Sequence, residues 1–322
     1  MQDFIDLFCI TIASHFSNLN RISYFIQCLE SLMKQTIIIP VYISISFEDE
    51  NIRKNIIEIL KEKRFLENHP NIHIFIQNEK TSQMFHYYYL FKEVSNKHEW
   101  IMFCDDDDTY NEIRVENIIK SISFIQNNYN SSDKIIAGLY ESHCNKEHKE
   151  HRHEYWCYCV NKIIMERFYQ ILIDYPDIIN NKCCDILFGE YMRRLSEKYI
   201  FGRLEMNLYN YRVTENQESI TGVIQSRQGI YTRNKPHPPL GDPSLPDYIL
   251  DWNEYLYKNI DVYLHDVFLR TIVGCKLDYI IKAEFPADHD LIKFIDDCHL
   301  NKIETLHNYL IMVCNLLYDQ PI

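Results

Sequence analysis

Glycine is scarce. Only 7 occur among 322 residues, where average usage near 7% would give about 20. No G-x-G-x-x-G and no Walker-type loop is present, so glycine backbone is excluded as the main device for cradling phosphate. A surplus of positive charge is also missing. The formal net charge of −13 argues against a nucleic-acid backbone or an anionic membrane as the main partner. The first residues, Met1-Gln2-Asp3-Phe4-Ile5-Asp6, lack the positive region of a signal peptide. The most apolar stretch, Ile37 to Phe47, is too short and too polar to span a bilayer. The 11 cysteines are odd in number and lack framework spacing, so the expected setting is the reducing cytoplasm, with most thiols acting as small buried hydrophobes.

What is present is a junction. The apolar run Trp100-Ile101-Met102-Phe103-Cys104 leads directly into Asp105-Asp106-Asp107-Asp108. A continuous apolar run reads as a strand covered on both faces. Ligands of open α/β sheets collect beyond the carboxyl ends of such strands. Adjacent carboxylates repel one another, and a hard divalent cation, Mn²⁺ or Mg²⁺, relieves that repulsion while bridging to substrate phosphates. The alternative is a solvated acidic turn that caps the next helix.

Along the chain, Phe4 to Ala13, Pro40 to Ser46, Asn71 to Ile76 and Trp100 to Cys104 read as strands. They alternate with helices over Ser17 to Met33, Asn51 to Glu67 and Thr81 to Val94. This β-α-β-α-β-α-β order predicts an α/β fold with a mostly parallel sheet. Further strands are expected at Ile135 to Tyr140 and Tyr155 to Val160, and helices after Asn111, over Lys162 to Ile173 and from Asp185. Gly222 to Pro246, rich in proline, reads as a long loop. Beyond it, Asp247 to Phe285 and Asp288 to Tyr318 read as helices. The expected organisation is a catalytic domain over 1–222, a loop over 223–246 and a helical extension over 247–322. That extension is expected to pack on the catalytic domain, with a homodimer contact as the alternative.

Taken in order, these pieces resemble a family 2-like glycosyltransferase of the GT-A fold. The likeness begins with Ile10-Thr11-Ile12-Ala13-Ser14-His15 and the helix ending Glu30-Ser31-Leu32-Met33-Lys34-Gln35-Thr36. It continues through Asp105-Asp106-Asp107-Asp108 as the D-x-D segment, Cys184-Asp185-Ile186-Leu187-Phe188-Gly189 as the helix carrying the general base, and Tyr209-Asn210-Tyr211-Arg212 as a closing strand. The resemblance implies an inverting, metal-dependent transferase that uses a nucleoside diphosphate-sugar, with a UDP-sugar favoured. Its acceptor is a glycan, protein or small molecule. Asp107 is then the direct metal ligand and Asp105 contacts the ribose, or the metal through water. Asp106 and Asp108 orient the loop, and Asp185 is the base, with Glu190 next in line. Ser14, His15 and Ser46 lie at the ends of the first two strands, where the nucleotide sits. The second strand, Ser44-Ile45-Ser46-Phe47-Glu48, lacks the adjacent aspartates many relatives use there.

Lys80, Gln83 and Arg114 flank the aspartates and are candidates for phosphate or sugar hydroxyls. Tyr155 and Trp156 are candidates for stacking on an acceptor sugar. His143, Cys144, His148, His151, His153, Cys157 and Cys159 are zinc-ligating types, but their spacing matches no closed structural site. That segment reads as a polar loop near the acceptor entrance. His237 is a candidate to close over the donor. Two other classes stay open: a nucleotidyltransferase using the same aspartate–metal site, and a non-catalytic sugar-binding or scaffold protein.

Overall fold

Strand β1 (Phe8–Phe16) carries Phe8, Ile10, Ile12 and Phe16, all essentially sealed from solvent, and it is an interior strand of the sheet. The computed structural model describes residues 2–66, 69–129, 135–141, 154–195, 199–212, 246–284 and 296–318. Two compact units divide the chain, Met1–Arg212 and Val213–Ile322.

In the first unit, α1 (Gln2–Ile5) precedes β1, so the first strand begins at Phe8 and not at Phe4 as expected. The order continues α2 (Ile22–Met33), β2 (Val41–Phe47), α3 (Glu50–Glu62), β3 (Ile72–Ile76), α4 (Gln83–Val94) and β4 (Trp100–Asp105). Asp49 caps α3 by accepting the Ile52 N–H at 2.8 Å. That helix stops at Glu62 and not near Glu67, because Arg64 turns into the left-handed region at φ 62°. Next come β5 (Thr109–Tyr110), α5 (Arg114–Tyr129) and β6 (Ile136–Glu141). Tyr155–Cys157 is a single 3-10 turn, and β7 (Tyr158–Asn161) starts only after it; one strand from Tyr155 to Val160 was expected. The unit closes with α6 (Lys162–Leu172), α7 (Pro176–Ile179), α8 (Cys184–Leu195), β8 (Ile200–Leu204) and β9 (Tyr209–Asn210).

The seven-stranded sheet runs β3-β2-β1-β4-β7-β6-β8. Every strand is parallel to its fellows except β7, which is antiparallel to both neighbours. This is the expected α/β class with a mostly parallel central sheet. After β1 the chain moves to one side for β2 and β3, then to the other for β4. The β1/β4 boundary is therefore a topological switch point, where a crevice opens beyond the carboxyl ends of the strands. Register places Ala13 opposite Asp105 and His15 opposite Ser46.

The second unit is helical: α9 (Pro246–Ile272), kinked at Asn259, then α10 (Leu277–Glu284) and α11 (Asp297–Tyr318). Gly274, at φ 94°, terminates α9, and the Cys275 N–H returns to the Arg270 carbonyl at 3.0 Å. Tyr263, Val267, Ile280, Ile281 and Ile303 form a core of its own. Among the described residues no helix is long and apolar enough to cross a membrane. Residues 143–153 and 213–245, which hold most of the His/Cys segment and His237, lie outside the described residues.

Candidate active site

The aspartates form a turn at the end of β4, closed by the Asp108 N–H on the Asp105 carbonyl at 3.2 Å. Each carboxylate meets a different part of the fold. Asp105 accepts from the Tyr155 hydroxyl and from Gln83 Nε2, the latter at 3.2 Å. Gln83 also donates to Tyr155 Oη at 2.9 Å, so α4 and the 3-10 turn meet on this one group. Asp106 accepts from Ser14 Oγ at 2.5 Å and from Arg21 Nη2 at 2.6 Å. Asp107 lies 3.8 Å from the same Arg21 nitrogen. Asp108, fully buried, accepts the Tyr209 hydroxyl at 2.9 Å and the Arg212 N–H at 2.8 Å. Tyr209 Oη also accepts the Asp105 N–H at 2.9 Å, which ties both ends of the turn to β9.

Burial and mutual repulsion leave Asp105 and Asp108 uneasy as anions. Desolvation, then the charges of Asp108 and Asp107, raises the pKa of Asp105 well above the ordinary carboxylate value. Burial, then Asp107, pushes Asp108 up to about 7. Arg21 is the local counter-charge, and Asp106 beside it strengthens its hold on its proton. The donor set is all hard oxygen, which suits Mg²⁺ or Mn²⁺ and not a soft metal. The turn is not a closed three-ligand cage: among the described residues the group of three that converges is elsewhere, in the second unit. Binding through one or two carboxylates plus ligand phosphates is the ordinary Mg²⁺ arrangement, and Asp105 and Asp107 fit it.

The ends of β1 and β2 continue the crevice wall. His15 Nδ1 meets Ser46 Oγ at 2.9 Å, and its Nε2 meets Glu48 Oε2 at 3.0 Å. Burial lowers the His15 pKa. Lys80 Nζ, largely exposed, reaches the same Glu48 oxygen at 2.6 Å. Ser44 and Ser46 of β2 are fully buried. His86 of α4 bridges them, with Nδ1 to Ser44 at 2.7 Å and Nε2 to Ser46 at 2.9 Å. Burial lowers its pKa to about 3, so the ring is neutral.

Asp185 occupies the first turn of α8, half-buried, where a carboxylate complements the helix dipole. Asn181 turns the chain into that helix by accepting the Cys183 N–H at 2.9 Å. Phe188, three residues beyond Asp185, packs edge-on against Phe103 of β4 with ring centroids 5.6 Å apart. Glu190 is sealed and held by Arg193 and Arg194 at 2.6–2.8 Å, so it is no reserve base.

Three expectations need correction. Arg114 does not line the crevice: it is fully buried, paired to Glu141, donates to the Trp156 carbonyl at 3.0 Å, and stacks 4.0 Å over Tyr110. Trp156 is not an open stacking platform, because its faces meet Tyr209 at 4.2 Å and Tyr211 at 5.1 Å. Tyr155 is buried too, its hydroxyl committed to Asp105. Sequence reasoning missed Arg21, Tyr209, Glu48 and His86. The position of Arg21 directly before α2, whose N-terminus faces the same strand ends, was the available signal for it.

Fold and site together define an α/β protein with a carboxylate turn at the switch point of a mostly parallel sheet. No protein-family model matches the chain, and no curated protein matches it in sequence. Solved structures do match. S. aureus TarS is 12% identical with a TM-score of 0.41, over 96% of this chain and 52% of that one, so the chain spans about half of that structure. The mannosyltransferase PcManGT from Pyrobaculum calidifontis, in complex with GDP-Man and Mn²⁺, is 11% identical with a TM-score of 0.44 over 96% of this chain and 87% of that one. The 4-diphosphocytidyl-2C-methyl-D-erythritol synthase from Anaerococcus prevotii DSM 20548 is 13% identical with a TM-score of 0.40, over 69% of this chain and 98% of that one. At these scores the likenesses decide nothing about activity.

Proposed function

We propose that this chain is a metal-dependent, inverting glycosyltransferase of the GT-A fold, using a nucleoside diphosphate-sugar. The observation that carries the reading is the turn Asp105–Asp108 at the β1/β4 switch point, with Asp105, Asp106 and Asp108 oriented by side chains from five separate elements or loops. Such fixed carboxylates in a crevice suit a ligand that arrives with phosphates and a cation. Asp107 and Asp105 hold Mn²⁺ or Mg²⁺, whose chemistry is Lewis-acid stabilisation of the departing diphosphate. His15 lines the nucleotide side, while Ser46, fully buried, holds the His15 ring from behind and Ser14, also buried, orients Asp106, so neither serine is the direct nucleotide contact expected from sequence. Lys80 and Gln83 stand at its edges, Lys80 exposed to meet phosphate and Gln83 holding Asp105 in place. Asp185 accepts the proton of the acceptor hydroxyl as its oxygen attacks the anomeric carbon, which inverts configuration. The donor base stays open, with a UDP-sugar favoured by the resemblance alone.

The experiment is donor turnover without acceptor, in the presence of Mn²⁺, across UDP-, GDP- and dTDP-sugars. Release of free nucleoside diphosphate supports the transferase. Release of pyrophosphate would move the chain to the nucleotidyltransferases, and no turnover with retained binding would make it a binding module.

A further inference from the structure

The second unit contains a feature unrelated to the aspartate turn. Asp296, Cys298 and His299 lie at the start of α11, and each offers a ligand atom within 4.8 Å of the other two. A carboxylate and a thiol at a helix start are unremarkable by themselves. His299 differs, because only 2% of it is exposed and its Nδ1 has no hydrogen-bond partner among the described residues. It stands on the buried stripe His299, Ile303, His307, Leu310. A buried imidazole nitrogen left without a partner carries its full desolvation cost. The ring of Tyr257, with its centroid 6.3 Å away, does not offset that cost.

We propose that Asp296, Cys298 and His299 bind a zinc ion, which supplies the partner the buried imidazole lacks. The donor set chooses the metal. Thiolate, imidazole and carboxylate together are zinc ligands, whereas Mg²⁺ and Mn²⁺ select oxygen alone. The two metal-binding regions are thus chemically distinct, hard in the first unit and borderline-soft in the second. Three protein ligands leave one tetrahedral position for water or another group. Zinc here pins the first turn of α11, and it does so whatever reaction the first unit performs.

The full-length chain, stripped with a chelator, is titrated with ZnCl₂ by calorimetry and with CoCl₂ by absorption. One tight zinc per chain is expected, together with the thiolate-to-cobalt charge-transfer band. Cys298→Ser changes an exposed side chain and leaves the fold intact by far-UV circular dichroism. It should remove the band and weaken zinc by more than the about 10–100-fold that follows loss of an outer-shell partner. His299→Gln should weaken zinc likewise, and Asp107→Ala should leave zinc affinity unchanged. Retention of the band or of full affinity in Cys298→Ser overturns the proposal, as does loss of the zinc site in Asp107→Ala or failure of the wild-type chain to bind zinc.

Discussion

In the proposed reaction, Asp107 and Asp185 carry the most chemistry per atom. Asp107→Ala removes a carboxylate at a strand-end turn outside the core, so the fold should survive while the Mn²⁺-dependent part of nucleotide binding disappears. Calorimetry of UDP and GDP with and without Mn²⁺ measures this, and undiminished metal dependence would reassign the ligand. Asp185→Asn preserves size but cannot accept a proton, so kcat should fall by about 10²–10⁴ with donor binding little changed. Wild-type turnover in that variant would place the base elsewhere, and Glu190 is already committed to two arginines. The sequence made the aspartates conspicuous because four like charges follow a buried strand directly. It could not place their partners: Ser14, Arg21, Tyr155 and Tyr209 lie 50 to 104 residues from the aspartates they bond, and only folding joins them. Arg114 was misread because an arginine near acids suggests phosphate, whereas its partner Glu141 lies 27 residues further on in β6 and meets it only in the fold.

At the scale of elements, β2 and α4 are joined through a neutral, buried histidine, and this gives the fold an acid limit. His86 has a folded pKa near 3, below the ordinary histidine value near 6.5. Between those pH values the unfolded chain binds the proton more readily than the folded one, so stability falls as pH drops through that window. The slope from this one group is about 1.4 kcal/mol per pH unit. His86→Gln, which keeps hydrogen-bonding capacity toward Ser44 and Ser46, should flatten urea-unfolding stability between pH 4 and 6, to the extent of about that slope; an unchanged pH profile would show that His86 is protonated in the fold. The Arg114–Glu141 pair makes a second test between α5 and β6. Arg114→Met alone leaves a buried carboxylate unpaired and should cost about 3–5 kcal/mol, whereas adding Glu141→Leu should recover part of that loss. Equal destabilisation in the single and double variants would mean that the pair is not coupled. The sequence of β2 could not show how Ser44 and Ser46 are satisfied, because their buried polar partner, His86, comes from α4 about 40 residues later. Strand β8 escaped notice because Ile200-Phe201-Gly202-Arg203-Leu204 is short and only partly buried. In its neighbour β6, Gly138 is required by space, since a Cβ there would lie 2.2 Å from the backbone carbonyl oxygen of Cys159.

At the scale of the whole molecule, the two units each possess a core, one around β1 and β4, the other around Tyr263, Val267 and Ile303. Multidomain chains of this kind depart from a single two-state transition, so calorimetry should resolve two unfolding events. A ligand that binds one folded unit stabilises only that unit, by about 2.7 kcal/mol when present at 100 times its Kd. A nucleotide-sugar with Mn²⁺ should therefore raise the transition of unit Met1–Arg212, and zinc the transition of unit Val213–Ile322. Asp107→Ala should abolish the first shift without touching the second, and Cys298→Ser should do the reverse. Truncation before the helical unit tests the expectation that this extension packs on the catalytic domain. Because the aspartate turn and its partners, from Ser14 to Arg212, belong to the first unit, a chain ending at residue 212 should keep Mn²⁺-dependent nucleotide binding. A single transition, raised by both ligands together and lost on truncation, would show instead that the helical unit is required to fold the first.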